Sequence, residues 1–366
     1  MKNIITQFSR IFVGILFIIS GLIKLNDPIG FSYKLTEYFS EPVFNMPFFV
    51  PFSLGFALFL VSLEIILGIM LLIGYKSSFT VWSLLILIVL FTFLTFYSAY
   101  FDVVKDCGCF GDALKLTPWQ SFTKDLVLLV FIIILFVNKH LLKPVFLNIA
   151  QNIVVMLTIF FCVILGYYVI YHLPVKDFRP FAVGNSIQKG MEIPENAIKP
   201  ITQMIFIYEV NGIKKEFSDK QLNLIPKGAK YIDRIDKVIV EGFKPPIHDF
   251  TIEKNGKDFT TEFLNEPKVI FFVLYDLEKA EIEGLQKLNS IQVLAASKGY
   301  KVIALTGSSE KIIATFKNEY DFKFEFYFCD ATALKTIERA NPSIIVVKNG
   351  TIIQKLHHLD SDDLIL

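Results

Sequence analysis

Two of the four cysteines, Cys107 and Cys109, are separated by a single glycine in the polar loop DVVKDCGCFGDALKLTPWQ. Thiols this close can form a redox pair, a structural disulfide or part of a metal site. A disulfide across one residue closes a very short loop and stabilises the fold little, whereas strained, exposed disulfides exchange readily. A metal site would need two more ligands, and the outer loops of this half offer no histidine or second cysteine pair. The residues therefore favour redox chemistry and leave the other two interpretations open.

Charged residues surround the two thiols in the sequence. Lys105 would favour the thiolate of a neighbouring cysteine, because a nearby positive charge stabilises the negative sulfur. Asp102, Asp106 and Asp112 would oppose it. The loop thus gives no clear net electrostatic preference for the thiolate.

Three further ionisable residues lie in or beside apolar runs. Glu64 interrupts the run LEIILGIMLLIG, and an ionisable residue inside a bilayer is a functional candidate by default. The alternative is a structural carboxyl that bonds a neighbouring helix. Lys124 and Asp125 begin another apolar run, where they could pair with Glu64 or cap the loop.

The composition divides the chain of 366 residues into a membrane half and a water-soluble half. Only 19% of the residues are charged, against about 25% in average soluble domains, and the first 172 residues are dominated by Phe, Leu, Ile and Val. Since a membrane helix needs about 20 mainly apolar residues, we predict five spans. They are centred on residues 11–23, 48–74, 79–101, 126–137 and 145–171. The net charge of +1 gives no basic field for nucleic acid.

The ends of these spans predict an orientation. The first span is expected to be retained rather than cleaved, with Arg10 and Lys24 extending toward the headgroups. Basic residues at the amino end and in the second and fourth loops favour a cytoplasmic amino terminus. The cysteine loop and the soluble half would then lie on the periplasmic side of a bacterial inner membrane, where disulfides persist.

The soluble half begins with a β-rich connector and continues as an alternation of strands and helices. The stretch PPIHDFTIEKNGKDFT and this order of elements resemble the thioredoxin fold in its TlpA-like and peroxiredoxin-like form. Asn341-Pro342 stands where that family has a cis proline. The resemblance implies a Cys-x-x-Cys pair after the first central strand, yet the matching segment FFVLYDLEKAEIEG contains no cysteine. We therefore expect a redox-inactive docking domain, with Pro342 and Cys329 at its docking site, although a lone cysteine such as Cys329 is more often simply packed.

The membrane segments FIISGLIKLNDPIGFSYKLTEYF, LEIILGIMLLIG and DCGCFGDALKLTPWQSFTKDLVLL resemble the DoxX-like superfamily. The nearest branch is MauE, of methylamine utilisation, as fused to thioredoxin-like domains in Bacteroidota. This resemblance implies a four-helix core and a role in maturing disulfide-rich periplasmic proteins or in quinone-linked oxidation. The predicted fold is a membrane all-α bundle of five helices followed by an α/β thioredoxin-like domain. Predicted boundaries are 1–142 for the bundle, 143–173 for the fifth helix, 174–243 for the connector and 244–366 for the soluble domain.

The combined expectation is a membrane thiol–disulfide oxidoreductase whose Cys107 and Cys109 accept electrons from a periplasmic client. A quinone among the helices, or a separate partner, would take the electrons onward. The first alternative is a non-enzymatic subunit of an inner-membrane envelope complex that keeps the Cys-Gly-Cys turn for its shape. A second is a transporter of a small molecule or of an electron carrier, built around Glu64.

Overall fold

The first half of the chain folds into apolar helices that pack side by side. The computed structural model describes residues 2–104, 106, 108–199, 201–210, 212–240 and 242–366. Its helices before residue 172 are α1 (Lys2–Asn26), α2 (Pro28–Phe39), α3 (Ser53–Ile73), α4 (Ser77–Phe101), α5 (Pro118–Val137) and α6 (Asn148–Tyr171). Within the described residues, α1, α3 with its preceding turn Pro47–Phe52, α4, α5 and α6 make five helices long and apolar enough to cross a membrane. The prediction of five spans is confirmed.

The fourth span shows how the local sequence sets a helix boundary. Thr117 caps α5: its hydroxyl accepts the Gln120 N–H, and the Gln120 side chain accepts the Thr117 N–H. Pro118 occupies the first turn, where a missing N–H costs no hydrogen bond. The polar segment from Pro118 to Asp125 is therefore helical, and it brings the apolar run to spanning length.

Close contact between α1 and α3 organises the bundle. A Cβ atom on Gly14 would lie 2.6 Å from the Leu72 side chain, and one on Gly68 would lie 2.9 Å from the Gly14 carbonyl oxygen. Small residues of this kind let membrane helices approach closely and pack through van der Waals contact. The core beside this contact is apolar and includes Phe17 and Leu84. The helices that carry polar groups inward are thus held at fixed separations.

Two basic residues of α1 point inward, although they were expected to extend toward the headgroups. Arg10 is 6% exposed and donates to the carbonyl oxygens of Leu71 and Leu72, both at 2.9 Å. Lys24 is 4% exposed and pairs with Glu64. The expectation was wrong because α3 offers both side chains a partner inside the bundle: carbonyl oxygens at its C-terminal end for Arg10, and the Glu64 carboxylate for Lys24.

The second half consists of a small helix, a separate sheet and an α/β domain. The helix α7 (Ile187–Met191) precedes a three-stranded antiparallel sheet of order β2-β1-β3, made of β1 (Ile201–Val210), β2 (Ile213–Ser218) and β3 (Lys230–Val240). The α/β domain follows. Its elements are β4 (Glu253–Lys254), β5 (Lys257–Asp258), α8 (Thr260–Leu264), β6 (Val269–Val273), α9 (Ile282–Ser297), β7 (Lys301–Thr306), α10 (Glu310–Tyr320), β8 (Glu325–Phe328), α11 (Ala331–Ile337), β9 (Ser343–Lys348) and β10 (Thr351–His357).

A mixed sheet forms the centre of the α/β domain, with strand order β10-β9-β6-β7-β8-β4-β5. Strands β6, β7 and β8 are parallel, and β9 runs antiparallel to β6 and β10. Helix α9 covers one face of the sheet, while α8 and α11 cover the other. The peptide bond between Asn341 and Pro342 is cis, as the resemblance implied. The prediction of an α/β thioredoxin-like domain is confirmed.

Candidate functional site

Gly108, the glycine of the Cys-Gly-Cys motif, lies against Phe31 and Lys34 of α2. Gly108 is buried and adopts a φ of +66°, a conformation in which any other residue would be strained. A Cβ atom there would lie 3.3 Å from Cγ of Lys34. The glycine between the two cysteines is therefore required by the turn. Cys107 and Lys105, which the sequence singled out, lie outside the described residues.

Cys109 is half-buried in the loop that joins α4 and α5, and its thiol is free. Its carbonyl oxygen accepts a hydrogen bond from Oγ of Ser20 in α1 at 2.9 Å. Burial raises the pKa of the Cys109 thiol above its ordinary value, and the nearby Asp125 adds to this effect. The cations of Lys124 and Lys24 oppose the rise without cancelling it. Cys109 is therefore a protonated thiol at neutral pH.

A buried ion pair lies beneath Cys109. Lys24 and Glu64 form this pair with side chains 4% and 2% exposed. Oγ of Ser20 is 3.1 Å from Oε2 of Glu64, so one serine contacts both the ion pair and the cysteine loop. The rings of Phe31 and Phe91 each lie 5.2 Å from Nζ of Lys24 and interact with its charge.

A second ion pair lies across the same cavity. Nζ of Lys124 is 2.5 Å from Oδ1 of Asp125, and Oδ2 of Asp125 accepts the Thr95 hydroxyl at 3.0 Å. Lys124 and Asp125 pair with each other and not with Glu64, which is paired with Lys24. Sequence reasoning did not identify Ser20, Lys24 or Thr95 as site residues. Lys24 could have been identified from its position, because it ends one apolar run while Glu64 lies inside the next.

The two ion pairs and Cys109 line one cavity of about 40 Å³. Its polar lining consists of Ser20, Lys24, Glu64, Thr95, Cys109, Lys124 and Asp125. The hydrogen-bond donors and the aromatic walls of the cavity suit a quinone. The volume of the cavity does not suit one, because a cavity that binds even benzene measures about 150 Å³. The cavity has room for a few water molecules and is smaller than a quinone ring requires.

The soluble domain lies against the membrane half through α11 and the loop that follows it. Arg339 donates to the carboxylate of Asp27, with Nη2 2.7 Å from Oδ2, and to Oδ2 of Asp112 at 2.9 Å. The guanidinium also lies 5.7 Å from the centre of the Tyr33 ring. Burial alone would raise the pKa of Asp27, yet the Arg339 cation outweighs it and the pKa is lowered. Both partners are therefore charged in the buried contact.

The face that contacts the membrane half is the one where redox-active relatives carry their cysteines. Tyr275 lies two residues after the end of β6, within the segment that lacks Cys-x-x-Cys, and its hydroxyl interacts with that of Tyr33 in α2. Nζ of Lys335 lies 5.4 Å from the Tyr33 ring centre and 5.6 Å from that of Tyr275. Between α2, the cysteine loop and α11 there remains an open cleft of about 500 Å³, and Gly108 and Arg339 lie on its walls.

The cysteines and proline outside this interface are packed inside the protein. Cys329 is fully buried in the core of the soluble domain, where burial raises the pKa of its thiol to about 12. Pro342 is buried beside α9, in contact range of Gly284. Cys162 is 2% exposed within α6. Arg339, Lys335 and Tyr275 make the described contacts with the membrane half, whereas Cys329 and Pro342, the residues expected at the docking site, lie behind that surface.

Comparison with known proteins agrees with this division of the chain. Residues 2–138 match the family described as methylamine utilisation protein MauE. The chain is also 24% identical over 225 residues to Protein TlpB of Flavobacterium psychrophilum, a match that covers 58% of this chain and 57% of that protein. The chain thus spans little more than half the length of this relative. Residues 2–138 belong to the MauE family, and in this multi-pass membrane protein they are joined to a thioredoxin-like domain.

Proposed function

We propose that this protein carries out thiol–disulfide exchange at the membrane surface, with Cys107 and Cys109 as its reacting pair. The observation that carries the proposal is the position of Cys109, which lies at a cavity lined by two buried ion pairs. Buried ionisable groups inside a membrane bundle are costly and are usually kept for a function. A loop needed only for its shape would not require charged groups beneath its cysteine.

The proposed reaction transfers two electrons and two protons. A thiolate of a client protein attacks the Cys107–Cys109 disulfide, and a mixed disulfide forms while one cysteine of the pair leaves. The second client thiol then attacks the mixed disulfide, which gives a client disulfide and two reduced cysteines. The disulfide of a second partner protein reoxidises the pair by the same exchange. The cavity is too small for a quinone, so no step is assigned to one.

The buried charges assist the leaving sulfur. Burial raises the pKa of Cys109, which makes an uncompensated thiolate costly at this position. The Lys124 cation faces it from α5 and lowers that cost as the disulfide opens. Asp125 keeps Lys124 in place through its 2.5 Å contact. In this scheme Lys24 and Glu64 set the local charge and support Ser20, which binds the loop.

The thioredoxin-like domain serves as the docking element in this proposal. It lacks the dithiol of redox-active relatives, and it holds its corresponding face against α2 and the cysteine loop. The cleft of about 500 Å³ beside Gly108 would hold a client segment next to the cysteine loop. Client and partner would be periplasmic proteins, with the amino terminus in the cytoplasm and the chain in the inner membrane. The basic residues of the cytoplasmic loops support this orientation.

A second candidate is an accessory subunit of an inner-membrane complex without chemistry of its own. One observation favours it: the domain face that would react in a thioredoxin is occupied by the protein's own membrane half. The third interpretation, a carrier around Glu64, requires room for a substrate. The cavity at Glu64 measures about 40 Å³, which does not support that interpretation.

Thiol trapping on membranes tests the proposal. Membranes are quenched with acid, alkylated with a maleimide carrying a mass tag, and compared between the wild type and the variants Cys107→Ser and Cys109→Ser. We expect a reversible intramolecular disulfide in the wild type. In one single variant we expect a mixed disulfide, formed when the remaining thiol attacks the disulfide of the partner protein or of an oxidised client. Cys162→Ser and Cys329→Ser are matched controls, since both thiols are buried. If the pair stays reduced under oxidising conditions and traps no client, the exchange function is wrong, and a complex that survives both substitutions supports the accessory subunit.

A further inference from the structure

Three potential metal ligands meet on the soluble domain, away from the cysteine loop. Glu281 precedes α9, His357 ends β10, and His358 begins the turn His358–Asp363. One ligand atom from each of the three lies within 4.8 Å of the others. Both histidines are buried, at 3% and 1% exposure, whereas the Glu281 side chain is 58% exposed. The cluster therefore opens to solvent on its carboxylate side.

His358 is oriented as a metal-binding imidazole. Its Nδ1 lies 3.3 Å from the Pro342 carbonyl oxygen, which accepts the proton and leaves the lone pair on Nε2. A contact of this kind fixes the tautomer of many metal-ligating histidines. Among the described residues, the buried Nε2 atom has no hydrogen-bond partner, a state that costs free energy unless something else binds it. Gly284 makes room for the ring, because a Cβ atom there would lie 2.7 Å from Cγ of His358.

The spacing of the two nearest ligand atoms fits a small tetrahedral ion. Nε2 of His358 is 3.4 Å from Oε2 of Glu281. Two donors that each lie about 2.0–2.1 Å from a tetrahedral zinc ion are separated by roughly 3.3–3.4 Å. The distance between these atoms thus matches one edge of such a site without movement of either residue.

His357 supplies the third position. Its ring centre lies 4.3 Å from that of His358. Its Nδ1 now accepts the Leu359 N–H at 3.2 Å, a long contact that a metal bond would replace. Ser343, which faces His357 across the β9–β10 pair, also has a buried hydroxyl oxygen without a hydrogen-bond partner in the described part of the chain. A polar ligand or its bound water would satisfy these atoms.

We propose that Glu281, His357 and His358 bind a divalent transition metal, with zinc the best fit and water in the fourth position. Two imidazoles and one carboxylate favour such an ion over calcium or magnesium, which prefer oxygen ligands. The site is independent of the proposed thiol exchange. It lies at the start of α9, beside the cis proline that precedes β9.

Metal binding to the full-length protein in detergent tests this proposal. The protein is stripped with a chelator and titrated with zinc, and cobalt is then used as a spectroscopic probe of tetrahedral coordination. The titration is run in a Cys107→Ser/Cys109→Ser background, which removes the loop thiols as competing ligands. We expect one zinc per chain and cobalt bands without a thiolate charge-transfer transition.

Three ligand variants and one control complete the experiment. His358→Ala and Glu281→Gln should weaken binding by roughly 100-fold or more, since loss of even an outer-shell partner costs about 10–100-fold. His357→Ala should weaken it as well. His248→Ala is the control, because His248 is exposed and remote in sequence. Absence of stoichiometric zinc in the background protein, or binding that His358→Ala leaves unchanged while the variant remains folded by circular dichroism, would overturn the proposal.

Discussion

Arg339 of the soluble domain donates two hydrogen bonds to Oδ2 of Asp27 in the membrane half, from Nε at 2.9 Å and from Nη2 at 2.7 Å. The two residues are 312 positions apart in the chain. Asp27 also caps α2 by accepting the Gly30 N–H at 2.9 Å. The same carboxylate therefore begins a helix of the membrane half and holds the soluble domain beside the cysteine loop.

Arg339→Ala should release the soluble domain from the membrane half. Removing one partner of a buried ion pair costs about 3–5 kcal/mol, because the remaining charge is left without compensation. We expect faster amide hydrogen exchange in α2 and α11, with β6 and β7 unchanged. Hydrogen exchange with mass spectrometry measures this. Arg234→Ala is the matched control, because Arg234 and its partner Asp236 are both about half exposed. Unaltered exchange in α2 would contradict the role given to Arg339.

Cys109 should react slowly with alkylating agents at neutral pH. Burial raises the pKa of its thiol, so the reactive thiolate becomes abundant only at pH values above the ordinary range of a cysteine. Lys124→Met should slow alkylation further, because it removes a cation that favours the thiolate, and Asp125→Asn should accelerate it. The rate of mass-tag labelling between pH 7 and about 10 measures these effects in a Cys107→Ser background. If Cys109 in the Cys107→Ser background, without further changes, is labelled as fast as a free thiol in solution, this prediction is wrong.

The Lys24–Glu64 pair allows structural and chemical roles to be separated. Glu64→Gln should destabilise the bundle by about 3–5 kcal/mol, because Lys24 is then buried without a counter-charge. The double variant Lys24→Met/Glu64→Leu should recover most of that loss, since apolar side chains of similar volume often replace a buried pair without penalty. Thermal unfolding in detergent measures stability, and thiol trapping measures exchange. If the double variant also restores normal exchange, the pair is structural only.

Acid should destabilise the soluble domain through Asp177. Burial raises the pKa of this carboxyl, but Arg179 and Lys355 outweigh that effect and lower it to about 2. A carboxyl with a depressed pKa in the folded state stabilises the fold above its unfolded pKa of about 3.9, and the contribution is lost as the pH falls toward 2. The shift in pKa corresponds to about 2–3 kcal/mol of stability at neutral pH.

Unfolding of the wild type and Asp177→Asn at several pH values checks this sign. The stability difference between the two proteins should be largest above about pH 5 and should shrink toward pH 2. Asp236→Asn serves as the control, since Asp236 forms an exposed pair with Arg234. A difference that stays constant across this range would show that Asp177 does not titrate as described.

The sequence predicted the features that depend on local pattern. Apolar length predicted the five spans, the Thr117–Gln120 capping box set the start of α5, and the alternation of strands and helices predicted the thioredoxin-like domain. The contacts that define the site depend on distant residues instead. Lys24 meets Glu64 forty positions away, and Arg339 meets Asp27 across the whole protein. No local pattern distinguishes an inward-pointing lysine at a helix end from one that reaches the headgroups.

Ser20 has one hydroxyl proton and two hydrogen-bond acceptors within reach. Its hydroxyl lies 3.1 Å from the Glu64 carboxylate and 2.9 Å from the Cys109 carbonyl, yet it has a single proton to donate. The two acceptors therefore compete for that proton. A hydrogen bond that Ser20 donates to the ion pair is one that it withdraws from the loop. Any shift of the Lys24–Glu64 pair thus reaches the backbone at Cys109 through this single hydroxyl.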